Sequence, residues 1–172
     1  MAGRGTAGYL RQHGFNVDGN SPDFIKSKNE IRTSYPKVDG AFMDEIMPIV
    51  ARVALAAVDT AGGVFSFQNP HAEPILVTKL ILDVTTESTG ACTLDCGPAA
   101  NATTLNDTLI DAANVATAGV FDNIDDQGTN GLATVKVAEN GGAADFVTGS
   151  VASGASAGIV GFAYIEYIKL RR

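Results

Sequence analysis

Tryptophan is absent from this chain, cysteine and histidine occur twice each, and cations are nearly missing between Val53 and Ile168. Each shortage removes a class of function. Cys92 and Cys96 stand four residues apart. On a strand rising about 3.3 Å per residue their separation is about 13 Å, too far for a disulfide. Two thiols without matching histidines make no zinc site. With Leu94 they read as one inward strand face of small buried hydrophobes. Gly154-Ala-Ser-Ala-Gly158 fits the G-x-S-x-G nucleophile elbow, but both histidines, His13 and His71, lie upstream of Ser156. The elbow needs a strand-turn-helix setting and a downstream histidine, and strands are expected on both flanks here. Without tryptophan, sugar-stacking platforms reduce to tyrosines, and Tyr164 and Tyr167 fall on the terminal strand in core or interface positions.

Positive charge is the next shortage. From Val53 to Ile168 only Lys79 and Lys136 oppose thirteen carboxylates, and the whole chain carries a net charge of −7. Such a body repels phosphate backbones, which argues against nucleic acid as a partner. The longest apolar stretch, Ile46 to Val58, is broken by Pro48 and Arg52 and is too short to cross a bilayer, so no membrane is expected. No charged leader followed by an apolar segment opens the chain, and the expectation is a product made in the cytoplasm. Phosphate-loop, dinucleotide and paired-acid signatures are lacking as well. The expectation is therefore a protein that is not an enzyme, with no catalytic residue, cofactor or metal. One loop qualifies this: Asp122-Asn-Ile-Asp-Asp-Gln-Gly-Thr-Asn-Gly131 clusters oxygen ligands of the kind calcium takes. Its spacing misses the EF-hand pattern, and Asp and Asn also populate turns for their own backbone bonds.

What is present divides into two parts. Residues 1–45 balance their charges and hold apolar residues singly or in pairs, with no period of 2 or 3.6: Tyr9, Leu10, Phe15, Phe24, Ile25, Ile31 and Tyr35. A segment of this kind orders only when each anchor finds a pocket, so these residues are expected to form contacts with neighbouring subunits from an extended arm with possible short helices. Residues 46–172 read as short strands. Ile49 to Asp59 and Val64 to Phe67 flank a Thr60-Ala-Gly-Gly63 turn and predict a hairpin. Ile75 to Thr85 predicts a strand with Leu76, Leu80, Leu82 and Val84 on one face and Lys79 and Asp83 on the other. Ala91 to Cys96 predicts a further strand, and weak apolar islands follow between Gly97 and Gly142. Asp145 to Ala152 and Ile159 to Leu170 predict a closing hairpin around Ser153 to Gly158. About eight short strands at this spacing predict an all-β fold, a jelly-roll-like β-sandwich preceded by an extended N-terminal arm.

Leu80-Ile-Leu-Asp-Val-Thr-Thr-Glu-Ser-Thr-Gly-Ala-Cys-Thr-Leu-Asp-Cys-Gly97, the 122–131 loop, and Gly149 to Gly158 with Tyr164-Ile-Glu-Tyr167 carry a resemblance. Over roughly Ala51 to Leu170 the chain resembles small virion proteins of tailed bacteriophages, most of all capsid decoration, or cement, proteins. The resemblance implies a jelly roll, often a homotrimer, on the capsid exterior. Its partners would be the major capsid protein and copies of itself, with terminal arms clamping neighbours to stabilise the head. Other virion roles, as a head fibre base, tail part or glycan-binding module, are the alternative, and a small serine hydrolase using Ser156 a remote one.

Overall fold

The computed structural model describes residues 47–58 and 62–170. These all belong to the second of the two units into which the chain divides, Glu45–Arg172. The expected arm contacts from Tyr9 to Tyr35, and His13, lie outside the described residues.

Among the described residues nine strands follow one another: β1 (Ile49–Ala54), β2 (Gly63–Gln68), β3 (Ile75–Thr86), β4 (Cys92–Ala99), β5 (Ile110–Asn114), β6 (Gly119–Asp122), β7 (Val135–Val137), β8 (Phe146–Gly154) and β9 (Val160–Lys169). They form two antiparallel sheets. The first has the order β1-β9-β3-β6, with β7 also paired to β3; the second has the order β2-β8-β4-β5. The pairings are nested: β1 with β9, β2 with β8, β3 with β6 and β7, β4 with β5. That is the path of one long ribbon doubled back on itself at β4–β5 and wound into two layers, the topology of a jelly roll.

The core lies between the sheets. Ile75, Val77, Leu80, Leu82 and Val84 of β3 and Ala163, Ile165 and Tyr167 of β9 meet Phe65, Leu94, Cys96, Ile110, Val147 and Val151 from the other layer. Burial is close to complete: every side-chain nitrogen or oxygen buried among the described residues has a hydrogen-bond partner. Gly149 shows how closely β2 and β8 fit side by side, because a Cβ there would come within 2.1 Å of the ring of its cross-strand partner Phe65.

Three expectations are corrected. β1 and β2 are not a hairpin, since β1 pairs with β9 in the first sheet and β2 with β8 in the second. β8 and β9 are likewise in different sheets. A turn between two short strands looks alike in sequence whether the chain returns beside itself or crosses the core, so local signals do not distinguish the two. Leu76 does not share a face with Leu80. Thr78 is an extra residue in β3, with Val77 opposite Tyr167 and Lys79 opposite Glu166, and the bulge reverses the alternation. Ile75 and Val77 therefore point inward with Leu80, Leu82 and Val84, and Leu76 points outward.

Candidate interaction surface

The outer faces of the two sheets are unlike. That of the second sheet is roofed by the β4–β5 loop. Thr148 Oγ1 donates to the Thr104 carbonyl at 2.9 Å and Ser150 Oγ to the Thr103 carbonyl at 3.3 Å. Both residues are buried by that roof. Glycine makes the close approach possible at Gly97, where a Cβ would lie 2.0 Å from Asn106 Oδ1. Asn106 in turn holds its own loop by accepting from the Thr108 N–H and hydroxyl at 3.0 and 2.6 Å.

On the first sheet the polar bonds run within the sheet instead. Strand register lays its outer residues out in rows. One row is Arg52, Tyr164, Ile81 and Asp122; its neighbours are Val50, Glu166 and Lys79 on one side and Ala54, Phe162, Asp83 and Val120 on the other. Ile168, Leu76 and Lys136 make a fourth. The apolar members are only half-buried or exposed: Val50 is 59% and Val120 65% exposed, and Val160 on the same face 53%. Arg52 places its guanidinium 3.5 Å above the Phe162 ring, and the rings of Phe162 and Tyr164 lie 6.4 Å apart. Lys79 Nζ is 3.2 Å from Asp122 Oδ2, and Thr78 Oγ1 donates to Glu166 Oε1 at 2.7 Å.

Charge sets this face apart. Among the described residues four cations, Arg52, Lys79, Lys136 and Lys169, stand against twelve carboxylates. The face holds three of the four cations with three acids, Asp83, Asp122 and Glu166, and is neutral. All the acidic excess lies elsewhere. Half-buried and exposed apolar residues thus lie between balanced charges on this face, on a body that is otherwise acidic.

The other residues singled out by sequence are occupied structurally. Ser156 is fully buried, and its Oγ accepts the Val58 N–H at 3.1 Å between strands β8 and β9. Cys92 and Cys96 are free and buried, and desolvation raises both thiol pKa values, for Cys96 with help from the adjacent Asp95 carboxylate. His71 shares a hydrogen bond of 3.2 Å with the Tyr167 hydroxyl. Desolvation, and then Lys169, lower its pKa against the pull of Glu73. Tyr167 and Tyr164, three apart on β9, fall on opposite faces: Tyr167 inward against Phe67 at 5.5 Å between ring centres, Tyr164 outward.

In the 122–131 loop the carboxylates hold backbone. Asp122 Oδ1 accepts from the Ile124 and Asp125 N–H groups at 2.8 and 2.9 Å, and Asp126 Oδ2 accepts from the Asp122 N–H at 2.9 Å. The Asp125 bond, then those from Ile124 and Lys79, depress the Asp122 pKa. Asp111 Oδ2 accepts from Thr129 and Asn130, each at 3.2 Å. An open depression of about 300 Å³ lies here, lined by Asp111, Ala113, Phe121 and Asp126 among others. Among the described residues no three metal-ligating side chains converge.

Sequence reasoning missed Arg52, Leu76, Ile81, Val120, Phe162 and Ile168. The signal was there: β3 and β9 carry apolar residues at both parities, whereas a strand with one solvated face alternates. Comparison of the chain with known protein families, with curated proteins and with solved structures finds no match.

Proposed function

We propose that this protein is a structural component of a tailed-phage virion, a decoration protein that binds the outer capsid lattice and stabilises the head. The observation that carries the reading is the charge-neutral outer face of the β1-β9-β3-β6 sheet, where apolar residues lie between balanced charges, which suits a protein that works by contact. The jelly-roll path and the strings from Leu80 to Gly97 and Gly149 to Tyr167 support the virion assignment. Its partners are the major capsid protein and other copies of the chain, and its place is the capsid exterior.

In this reading the sandwich supplies a rigid body and residues 1–45 supply a strap. Tyr9, Leu10, Phe15, Phe24, Ile25, Ile31 and Tyr35 bury themselves in neighbouring subunits. Ordering some forty residues opposes most of the gain from that burial, so one arm holds weakly. Repetition over a closed lattice makes the sum strong. The test is co-sedimentation with particles stripped of the protein, comparing the full chain with a chain lacking residues 1–40, each checked for a cooperative melt. The full chain is expected to pellet with the particles and raise their resistance to heat, and the folded truncation to stay in the supernatant. Equal binding by the truncation refutes the strap, and failure of the full chain to bind refutes the assignment.

A further inference from the structure

We infer that the outer face of the β1-β9-β3-β6 sheet pairs with the same face of a second copy about a two-fold axis. The axis lies in the plane of contact, parallel to the strands and midway between β9 and β3. The inference stands on the strand register and the charges, and does not depend on the virion reading.

Rotation about such an axis keeps each row of side chains opposite itself and exchanges columns, so that β9 of one copy lies on β3 of the other and β1 on β6. The row Arg52, Tyr164, Ile81, Asp122 then reads Asp122, Ile81, Tyr164, Arg52 in the second copy. Arg52 stands over Asp122 of the second copy, Tyr164 over Ile81, and each contact occurs twice. In the adjacent row Glu166 faces Lys79 of the second copy, again twice. In the row beyond, Ile168 faces Leu76. The remaining row sets Phe162 opposite Asp83 and Ala54 opposite Val120, so the self-complementarity that an isologous interface requires rests on the other three rows. Packed sheets cross at about 30°, so the axis bisects that angle and runs close to the strand direction, and contact concentrates on the two middle rows, those of Tyr164 and Glu166.

Charge selects a second copy as the occupant. Two copies meeting elsewhere would bring acidic surface against acidic surface, because the acidic excess of the described residues lies off this face. Here three cations and three acids cancel. Four strands about 4.8 Å apart and four rows about 6.7 Å apart give a footprint near 500 Å² per copy, about 1,000 Å² in all. That is the size of a weak, reversible contact. A threefold association, as the resemblance implies, needs two different patches on each copy and is a separate contact.

The experiment is sedimentation of the full chain from about 10 µM to about 1 mM at 0.15 M salt, where charges screen within about 8 Å. The weight-average mass is expected to climb from 17.7 kDa towards twice that value. Ile81→Lys, on the outer face and away from the core, is expected to abolish the rise while leaving the melting curve cooperative. Lys79→Glu and Glu166→Lys each set like charges opposite one another across the axis and are expected to weaken pairing at least tenfold. Both together restore opposite charges and are expected to recover most of it. A mass that stays monomeric to the highest concentration overturns the inference. So does a trimer indifferent to Ile81→Lys, or a double variant no better than the singles. Loss of particle binding by Ile81→Lys in a chain that never self-associates would assign the face to the capsid lattice instead, and equally overturns it.

Discussion

Replacing Asn123 with alanine is expected to destabilise the sandwich strongly. Asn123 follows β6 and is fully buried. Its Oδ1 accepts the Leu80 N–H at 2.7 Å, and its Nδ2 donates to the carbonyls of Ala133 at 2.8 Å and Leu132 at 3.3 Å. The side chain thus pairs β3 where β6 has ended and β7 has not begun, and ties the loop between them to the sheet. Alanine leaves the Leu80 N–H without a partner in the sheet, at about 1–3 kcal/mol, and removes two further bonds worth about 0.5–1.5 kcal/mol each. The expected total is about 3–4 kcal/mol. In a domain of this size that lowers the melting temperature by about 10–15 °C and the urea midpoint by about 2 M. Circular dichroism follows the transition, since the chain has no tryptophan. Asn123→Asp separates geometry from packing. It preserves the shape and the acceptor for Leu80 but turns an oxygen on the two carbonyls, so its folded-state pKa must rise. Its defect should be largest at pH 7 and shrink as pH falls towards 4. An alanine variant within about 0.5 kcal/mol of the parent, or an aspartate variant whose defect ignores pH, would refute the argument.

Other consequences are equally open to measurement. Asp122 and Asp145 both have depressed pKa values, Asp122 through the Asp125 and Ile124 N–H groups and Lys79, Asp145 through Gln68 and then the Gly141 N–H. A depressed carboxyl stabilises the fold above its unfolded value, about 3.9, and that contribution is lost as pH falls through the folded value. Urea midpoints should therefore drop below about pH 4, beyond a smaller loss that begins near pH 6.5 because the His71 pKa is lowered in the fold, and Asp145→Asn should flatten the drop below about pH 4. Gly149→Ala forces a methyl group into the Phe65 ring, at a cost of about 2–3 kcal/mol. Phe65→Leu in the same chain should return part of it, and strictly additive losses in a double-mutant cycle would refute the contact. Cys92 and Cys96, buried with raised pKa values, should resist a thiol reagent in the native protein and react together in urea. Reaction of either at native rates typical of exposed cysteine would contradict their inward placement.

The fold class was legible because alternation at period two and frequent turn signals are local properties. The strand cores around Leu80–Val84, Cys92–Cys96 and Ile159–Leu170 show them plainly. The inward placement of Cys92, Leu94 and Cys96 followed from the same rule. Sheet membership did not, and the two expected hairpins failed for one reason. Turns that cross the core and turns that return beside the chain use the same residues. The bulge at Thr78 was equally hidden, since a one-residue insertion leaves no compositional mark and yet moves Leu76 to the other face. The candidate surface was half legible. Apolar residues at both parities of β3 and β9 marked strands without a fully solvated face, but which neighbours completed each row depended on register.

Composition and local pattern by themselves determined an acidic, all-β protein with buried thiols and a carboxylate-rich turn, because burial, propensity and charge are summed residue by residue. Only the tertiary structure decided that β9 lies between β1 and β3 and that, among the described residues, one sheet face is roofed while the other is not. It alone gathered Arg52, Lys79 and Lys136 onto a single neutral face. Those facts rest on pairings between residues as far apart as Arg52 and Tyr164, and such pairings are set by how two sheets close over one core.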